Sequence, residues 1–277
     1  MYSVLVLGSA GQIGTAVVER LVHHGYRPIT FDIVDSDDQD LRYRENMSNL
    51  ANAMEEADFV HFLAFDIGGS MYMEKYQNSY GFLMNNMQIM HNVFDMLESY
   101  KLPFTFASSQ MSNMFYSNYG RLKAVGEAFT DALNGINTRF WNVYNIETDP
   151  EKAHVITDFL EMARNDGEIV MRTDGMEERQ FLHAYDAADA LIKLQEIYMD
   201  IDRTKSIDIT SFEWNSIIEV ADICSDLYDS CPIIPNDKKD TVQRNAKNEP
   251  DNYVLEFWKP TTSLADGIAD VNERMFR

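Results

Sequence analysis

Residues 3–14 read SVLVLGSAGQIG, an apolar run that enters a turn with glycines at 8, 11 and 14. A helix-like segment, IGTAVVERLVHHG, follows at once and stops at Gly25. Few features limit a fold as strongly. A buried strand that turns sharply into a helix has to continue as a crossover to a parallel neighbour. Glycines in such a turn let the backbone come close to an anion at the helix N-terminus, where free N–H groups and the helix dipole favour negative charge.

The rest of the chain keeps that rhythm. The sequence predicts a strand in YRPITFDIVD, a weak helix in MSNLANAMEEA and a strand in DFVHFLAF. A long helix is expected from about Ser79 to Tyr100, then a strand in PFTFAS, a helix from about Tyr116 to Leu133 and a strand in NTRFWNVY. Apolar strands alternating with helices imply a parallel sheet covered on both faces. The fold class is therefore α/β, a Rossmann-type doubly wound parallel sheet. After Asn145 the pattern loosens around Pro150, Pro232, Pro235, Pro250 and Pro260. We expect a nucleotide-binding domain over 1–145, to which 184–212 return through DAADALIKLQEIYMD and SIDIT. A smaller substrate lobe would comprise 146–183 and 213–277.

Composition excludes several classes. The 277 residues carry a net charge of −22, which disfavours a nucleic-acid or anionic-membrane partner. No run of about 18 apolar residues is present, and the N-terminus has neither a basic region nor a cleavage site, so neither a membrane span nor a signal peptide is read. Two cysteines, Cys224 and Cys231, are too few for a disulfide framework or a zinc site and suit a cytoplasmic protein. No metal site is expected. The acidity also means that an anionic ligand needs local Arg, Lys or helix N-termini.

The glycine turn has the context that a dinucleotide site requires. Asp32 ends the second strand, 18 residues after Gly14. Its carboxylate suits the two ribose hydroxyls of NAD and would repel a 2′-phosphate, and no Arg or Lys follows closely; NAD is favoured over NADP. The cofactor-binding set is Gly8, Gly11, Gln12, Ile13 and Gly14 of the turn, with Asp32. Asp40 and Leu41, after a third strand, would flank the adenine, and Ala64, after a fourth, would leave room for the cofactor backbone.

Tyr119 and Lys123 stand four residues apart, on one helix face. A phenol with a pKa near 10 is too weak a base at neutral pH. One positive charge at about 4 Å, at an effective dielectric near 20, supplies roughly 4 kcal/mol, or about three pKa units. A Ser hydroxyl at the end of the preceding strand would bond the same substrate oxygen. The chemistry implied is proton removal from an alcohol coupled to hydride transfer.

Taken together, these residues resemble the extended short-chain dehydrogenases/reductases, the NAD-dependent epimerase/dehydratase family that acts on nucleotide sugars. The marks are Gly8, Gly11 and Gly14, Asp32, HFLAF (61–65), Asn86 with Asn92, ASS (107–109), YGRLK (119–123), RFWNVYN (139–145), RQFLHAYD (179–186) and WKPTTSLADGI (258–268). The resemblance implies Ser109, Tyr119 and Lys123 as the catalytic triad, with Tyr119 and Lys123 also touching the cofactor. It places Asn142 near the sugar or diphosphate and Arg179 on the diphosphate, and it implies a homodimer through the helices bearing Phe82 and Tyr119. DIGGS (66–70), with Gly69 and Ser70 towards substrate, is similar to a segment of GDP-mannose 3,5-epimerase and GDP-fucose synthase. AHVITDFL (153–160) is similar to the GDP-fucose synthase segment that carries a His acid, and His154 matches it. A GDP-sugar partner is therefore favoured.

Departures narrow the chemistry. Met111 stands where those two enzymes place a Cys base, and a thioether transfers no proton. Gln110 and Met111 replace the Asp-Glu pair of the dehydratases. The stretch from Ser109 to Tyr119 is short. NEPD (248–251) replaces an RPGD-like turn, leaving Arg244 nearby as the substitute. The expected function is an NAD-dependent nucleotide-sugar epimerase that transiently oxidises a sugar hydroxyl at C4. The alternatives are a 4-keto reductase or dehydrogenase, and a dinucleotide-binding regulatory protein without turnover.

Overall fold

The computed structural model describes residues 1–147, 149, 151–239 and 248–277. The first half holds β1 (Ser3–Leu7), α1 (Gln12–His23), β2 (Arg27–Phe31), α2 (Met47–Glu55), β3 (Phe59–Phe62), α3 (Ser70–Tyr76) and α4 (Tyr80–Tyr100). Next come β4 (Phe104–Ser109), α5 (Asn118–Ala132), β5 (Ile136–Phe140), β6 (Asn142–Tyr144), α6 (Val155–Asn165), β7 (Ile169–Val170), β8 (Glu178–Arg179) and β9 (Phe181–His183). The chain ends with α7 (Ala184–Glu196), β10 (Asp208–Ile209), β11 (Asn215–Ser216), α8 (Ile217–Asp226), β12 (Ile233–Ile234) and α9 (Leu264–Met275).

The central sheet has six parallel strands in the order β10-β5-β4-β3-β1-β2. Strand alternation sorts its two faces. Val4 and Val6 of β1 pack with Ala16, Val17 and Leu21 of α1 and with Ala187, Ala190 and Leu191 of α7. Leu5 and Leu7 point the other way, into Leu50 and Met54 of α2, Val93 and Phe94 of α4, and Leu122 of α5. A third apolar cluster lies among α6, α8 and α9, around Ile156, Leu160, Val220, Cys224 and Val271.

Two expectations need correction. No third strand lies between β2 and Asp40: residues 37–39 form a short 3-10 helix, and DFVHFLAF supplies the third strand of the chain rather than the fourth. The stretch carries Asp35, Asp37, Asp38 and Asp40, and aspartate is a poor strand former. NTRFWNVY is two strands rather than one. It breaks at Trp141, whose indole donates to Asp208 (3.0 Å), and Asn142–Tyr144 leave the main sheet to pair with Phe181–His183. Residues 184–196 lie on α1, and Asp208–Ile209 pair with β5.

The turn after β1 shows why its glycines are needed. Gly8 has φ +86° and its amide donates to Phe31 (2.9 Å). A Cβ there would stand 2.7 Å from the Ala64 nitrogen, and a Cβ at Gly14 would overlap the Gly8 carbonyl oxygen. α1 thus begins against the backbone of its own turn. We expect Gly14→Ala to destabilise the protein by about 2 kcal/mol, because backbone rather than a flexible side chain must yield; urea denaturation of the two proteins measures it.

Candidate active site

The ends of β1, β2 and β3 build the first part of the site. Gly11 precedes α1, so Gln12, Ile13 and Gly14 form its first turn, whose N–H groups have no partner four residues back. Ala64 abuts Gly8 as backbone. Asp32 follows β2, and its carboxylate accepts the amides of Ala10 and Val34, each at 3.0 Å. The acid is thereby aimed at the glycine turn. Leu41 is buried, its carbonyl taken by Asn92 (2.8 Å). Asp40 is buried too, but its carboxylate is occupied by Arg42, with bonds of 2.6 and 2.8 Å. These residues fit NAD: the turn is a cradle that side chains would fill, and the acid bonded to it, Asp32, sits where a ribose diol needs an acceptor.

The second part lies at the end of β4 and the start of α5. Ser109 is the last residue of β4, and the Ser117 hydroxyl caps α5 by accepting from Gly120 (3.3 Å). Tyr119 and Lys123 occupy successive turns, both buried. The Lys123 ammonium donates to the Ala107 carbonyl (2.5 Å), sits 3.6 Å from the Phe65 ring centre and 5.7 Å from that of Tyr119. The Phe65 and Tyr119 rings meet edge to face at 5.8 Å. The three residues therefore converge, with Phe65 as an unforeseen fourth member.

Their electrostatics differ from the expectation of a phenol near neutrality. Burial pushes Tyr119 up to about 12, against a hydrogen bond with Ser109 that pulls it down. Burial also pushes Lys123 down to about 7, partly offset by the charge of Glu127. Glu127 is itself fixed by Arg139 (2.8 Å twice) and by Ser108 (2.6 Å). A lysine that is hard to charge gives little help to a phenolate.

The short connection between Ser109 and Tyr119 is ordered. Residues 110–113 form a 3-10 turn, with Gln110, Met111, Ser112 and Met114 buried. Met111 joins the apolar cluster that contains Tyr119. Asn248 of NEPD closes the outside, donating to the carbonyl oxygen (2.6 Å) and side-chain oxygen (3.0 Å) of Gln110. Sequence reading marked NEPD as a departure but not Asn248 as a seal.

A pocket of about 170 Å³ has none of Ser109, Tyr119 or Lys123 in its lining. Ser70, Asn142, His154 and Arg179 line it together, with Asp158 and Arg172. Gly69 is not in the lining; its amide donates to the Lys152 carbonyl (2.8 Å), and a Cβ would overlap the Ala153 carbonyl oxygen. The loop 66–70 is thus laid directly on the chain leading to His154. Burial pushes Asp158 up to about 6 despite Arg172, which bonds it at 3.1 Å. Glu147 bonds the His154 ring at 2.6 Å. Asp158 and Arg172 were missed in the sequence because nothing marks a single charged residue as pocket-facing, and Glu147 because nothing local shows that it meets His154. Arg244 lies outside the described residues. Among the described residues no group of His, Cys, Asp or Glu is arranged to hold a metal, and no helix is long and apolar enough to cross a membrane.

Comparison with known proteins shows the family and the fold. The model of the NAD-dependent epimerase/dehydratase family matches residues 4–209. No curated protein sequence matches significantly. Among solved structures, an epimerase from Methanothermobacter thermautotrophicus aligns with a TM-score of 0.84 at 19% identity, covering 98% of this chain and 91% of that one. A GDP-6-OMe-4-keto-L-xylo-heptose reductase from C. jejuni gives 0.83 at 17%, covering 99% and 97%. A UDP-glucose 4-epimerase from Thermotoga maritima, solved with UDP-glucose, gives 0.74 at 19%, covering 99% and 98%. At these identities the likeness is one of fold.

The Lys123 shift has a measurable sign. Its folded pKa, about 7, lies below the unfolded value near 10.5, so between those values the unfolded chain binds the extra proton and stability rises with pH. The cost of burying a charged lysine is then present in full below pH 7 and lifts through that window. We expect Lys123→Met to be more stable than wild type at pH 6 and the advantage to shrink by pH 10, as followed by chemical denaturation of both proteins across that range.

Proposed function

The chain belongs to the NAD-dependent epimerase/dehydratase family, whose cofactor is NAD, and from that premise we propose that it is a nucleotide-sugar epimerase. The reaction is transient oxidation of a sugar hydroxyl at C4, with return of the hydride to the opposite face. The observation that carries this reading is the convergence of Ser109, Tyr119 and Lys123 at the end of β4. When bound, NAD supplies the hydride acceptor and donor and, oxidised, a positive charge.

Each residue has a separate task. Ser109 hydrogen-bonds the sugar oxygen, and Tyr119 removes its proton and later returns it. Lys123 orients the phenol and the nicotinamide ribose. Asp32 accepts the adenosine ribose hydroxyls, and the α1 N-terminus faces the pyrophosphate. Arg179 offers a planar fork to the substrate diphosphate, with Asn142 beside the sugar. Gly69 and Ser70 bring the loop after β3 to the sugar side. Because Met111 is packed into the core, no acid, base or thiol follows Ser109. That favours hydride chemistry over elimination. Within nucleotide sugars, GDP-sugars are the preferred class, on the strength of Gly69 and His154.

A second reading is supported by His154, which lines the pocket with its ring held by Glu147. An additional proton donor suits net reduction of a 4-keto sugar. Stoichiometric NADH consumption separates that reaction from a redox-neutral epimerase.

The test begins with mass spectrometry of molecules released from the purified protein, followed by turnover of UDP-glucose, UDP-galactose and GDP-mannose. Retained NAD is expected, and recovery of NADP instead would overturn the role of Asp32. Tyr119→Phe should lower turnover by at least about 100-fold. Turnover within a few-fold of wild type would remove Tyr119 from the mechanism. NAD binding with no turnover of any nucleotide sugar would favour a regulatory protein.

A further inference from the structure

Glu147 belongs to no motif, yet three of its contacts meet at the start of α6. One carboxylate oxygen lies 2.6 Å from Nδ1 of His154. The other accepts the His154 backbone amide at 2.7 Å and the Thr157 hydroxyl at 3.3 Å. The carboxylate is almost buried, with a side-chain exposure of 10%, whereas the His154 side chain is 36% exposed and lines the pocket. His154 is the N-cap of α6 but caps nothing with its own side chain.

We propose that Glu147 is a positioning residue that fixes the His154 imidazole through Nδ1, so that Nε2 exchanges a proton with the substrate in the pocket. This rests on the nucleotide-sugar reading above. A carboxylate only accepts, so Nδ1 carries the hydrogen in either protonation state of the ring. Nε2 is then the atom that takes or gives a proton, and among the described residues it has no hydrogen-bond partner. The backbone is held from the other side as well, because Gly69 packs on Ala153 too closely for a Cβ. The ring thus has little freedom about the axis that decides where Nε2 points.

The other charged groups nearby do not compete for Nδ1. Asp158, one turn along α6, is paired with Arg172, and Arg179 lines the same pocket. Lys152, just before the turn, reaches Asp66 (3.4 Å) and lies over the Tyr72 ring. The same loop after β3 begins with Phe65 at Lys123 and Tyr119 and ends with Ser70 in this pocket, so it links the two candidate proton-transfer groups.

Glu147 also closes the helix start, and the test has to separate that structural task from positioning. Glu147→Gln does so. Its single amide oxygen is claimed by the obligatory His154 backbone donor, which leaves the NH2 facing Nδ1. The ring must then accept at Nδ1 and carry its hydrogen on Nε2. Nitrogen-15 NMR of histidine-labelled full-length protein, with the His154 signal identified by its loss in His154→Gln, reads the tautomer directly. We expect Nδ1–H in wild type and Nε2–H in Glu147→Gln, with thermal midpoints within a few degrees. An Nε2–H ring in wild type, or an unchanged tautomer in the variant, overturns the proposal.

Kinetics on the nucleotide sugar that the preceding assay turns over supplies the second arm. Glu147→Gln should lower kcat by about 10- to 100-fold with KM within twofold. The double variant should be no slower than His154→Gln alone, since Glu147 acts only through that ring. Additive losses would mean that Glu147 acts elsewhere. A panel with no turnover at all counts against the nucleotide-sugar reading, while the tautomer result still decides whether Glu147 sets the imidazole.

Discussion

The site depends on two backbones meeting without side chains between them. At the end of β1, Gly8 lies against Ala64, and Gly14 lies under the Gly8 carbonyl. That contact fixes where α1 begins, and other parts of the site take their position from it. Asp32 bonds the turn at Ala10, and Asn145 reaches the Gln12 carbonyl at 2.9 Å while accepting from Arg274 at 2.7 Å. The C-terminal helix α9 is thereby tied to the first turn of α1. A second contact of the same kind, Gly69 on Ala153, ties the loop after β3 to the start of α6.

Electrostatics is the other theme. In a chain of net charge −22, cations are scarce and are held by carboxylates: Arg42 by Asp40, Lys152 by Asp66, Arg139 by Glu127 and Arg172 by Asp158. Lys123 differs from these, being buried against Phe65 with a carbonyl as its hydrogen-bond partner. Its low affinity for a proton and the high pKa of Tyr119 have one cause, the removal of water from both. Proton transfer at this site therefore calls for positive charge from a bound group, and oxidised NAD carries one.

Motifs made the central sheet and the nucleotide turn readable, because strand alternation and glycine spacing are local properties. The apolar runs at 3–7, 59–62 and 104–109 each became a buried strand. The misread segments have specific causes. Asp40 and Leu41 were expected to follow a third strand, but the aspartates before them form a 3-10 helix. NTRFWNVY looked continuous because nothing local reveals that Trp141 will find Asp208 sixty-seven residues away. The pKa argument for Tyr119 assumed a charged neighbour at contact distance and left out the cost of burying that neighbour.

The sequence by itself determined the parallel sheet, the glycine turn with Asp32, the spacing of Tyr119 and Lys123, and the family. These follow from residues near one another in the chain, whose geometry is set by backbone sterics and helix period. Only the tertiary structure decided that Met111 is core, that Asn248 seals the turn after Ser109, that Phe65 covers Lys123, and that Glu147 grips His154. Each of these depends on what a side chain meets across the fold and on how much water that meeting removes, and neither quantity is written in a local pattern of residues.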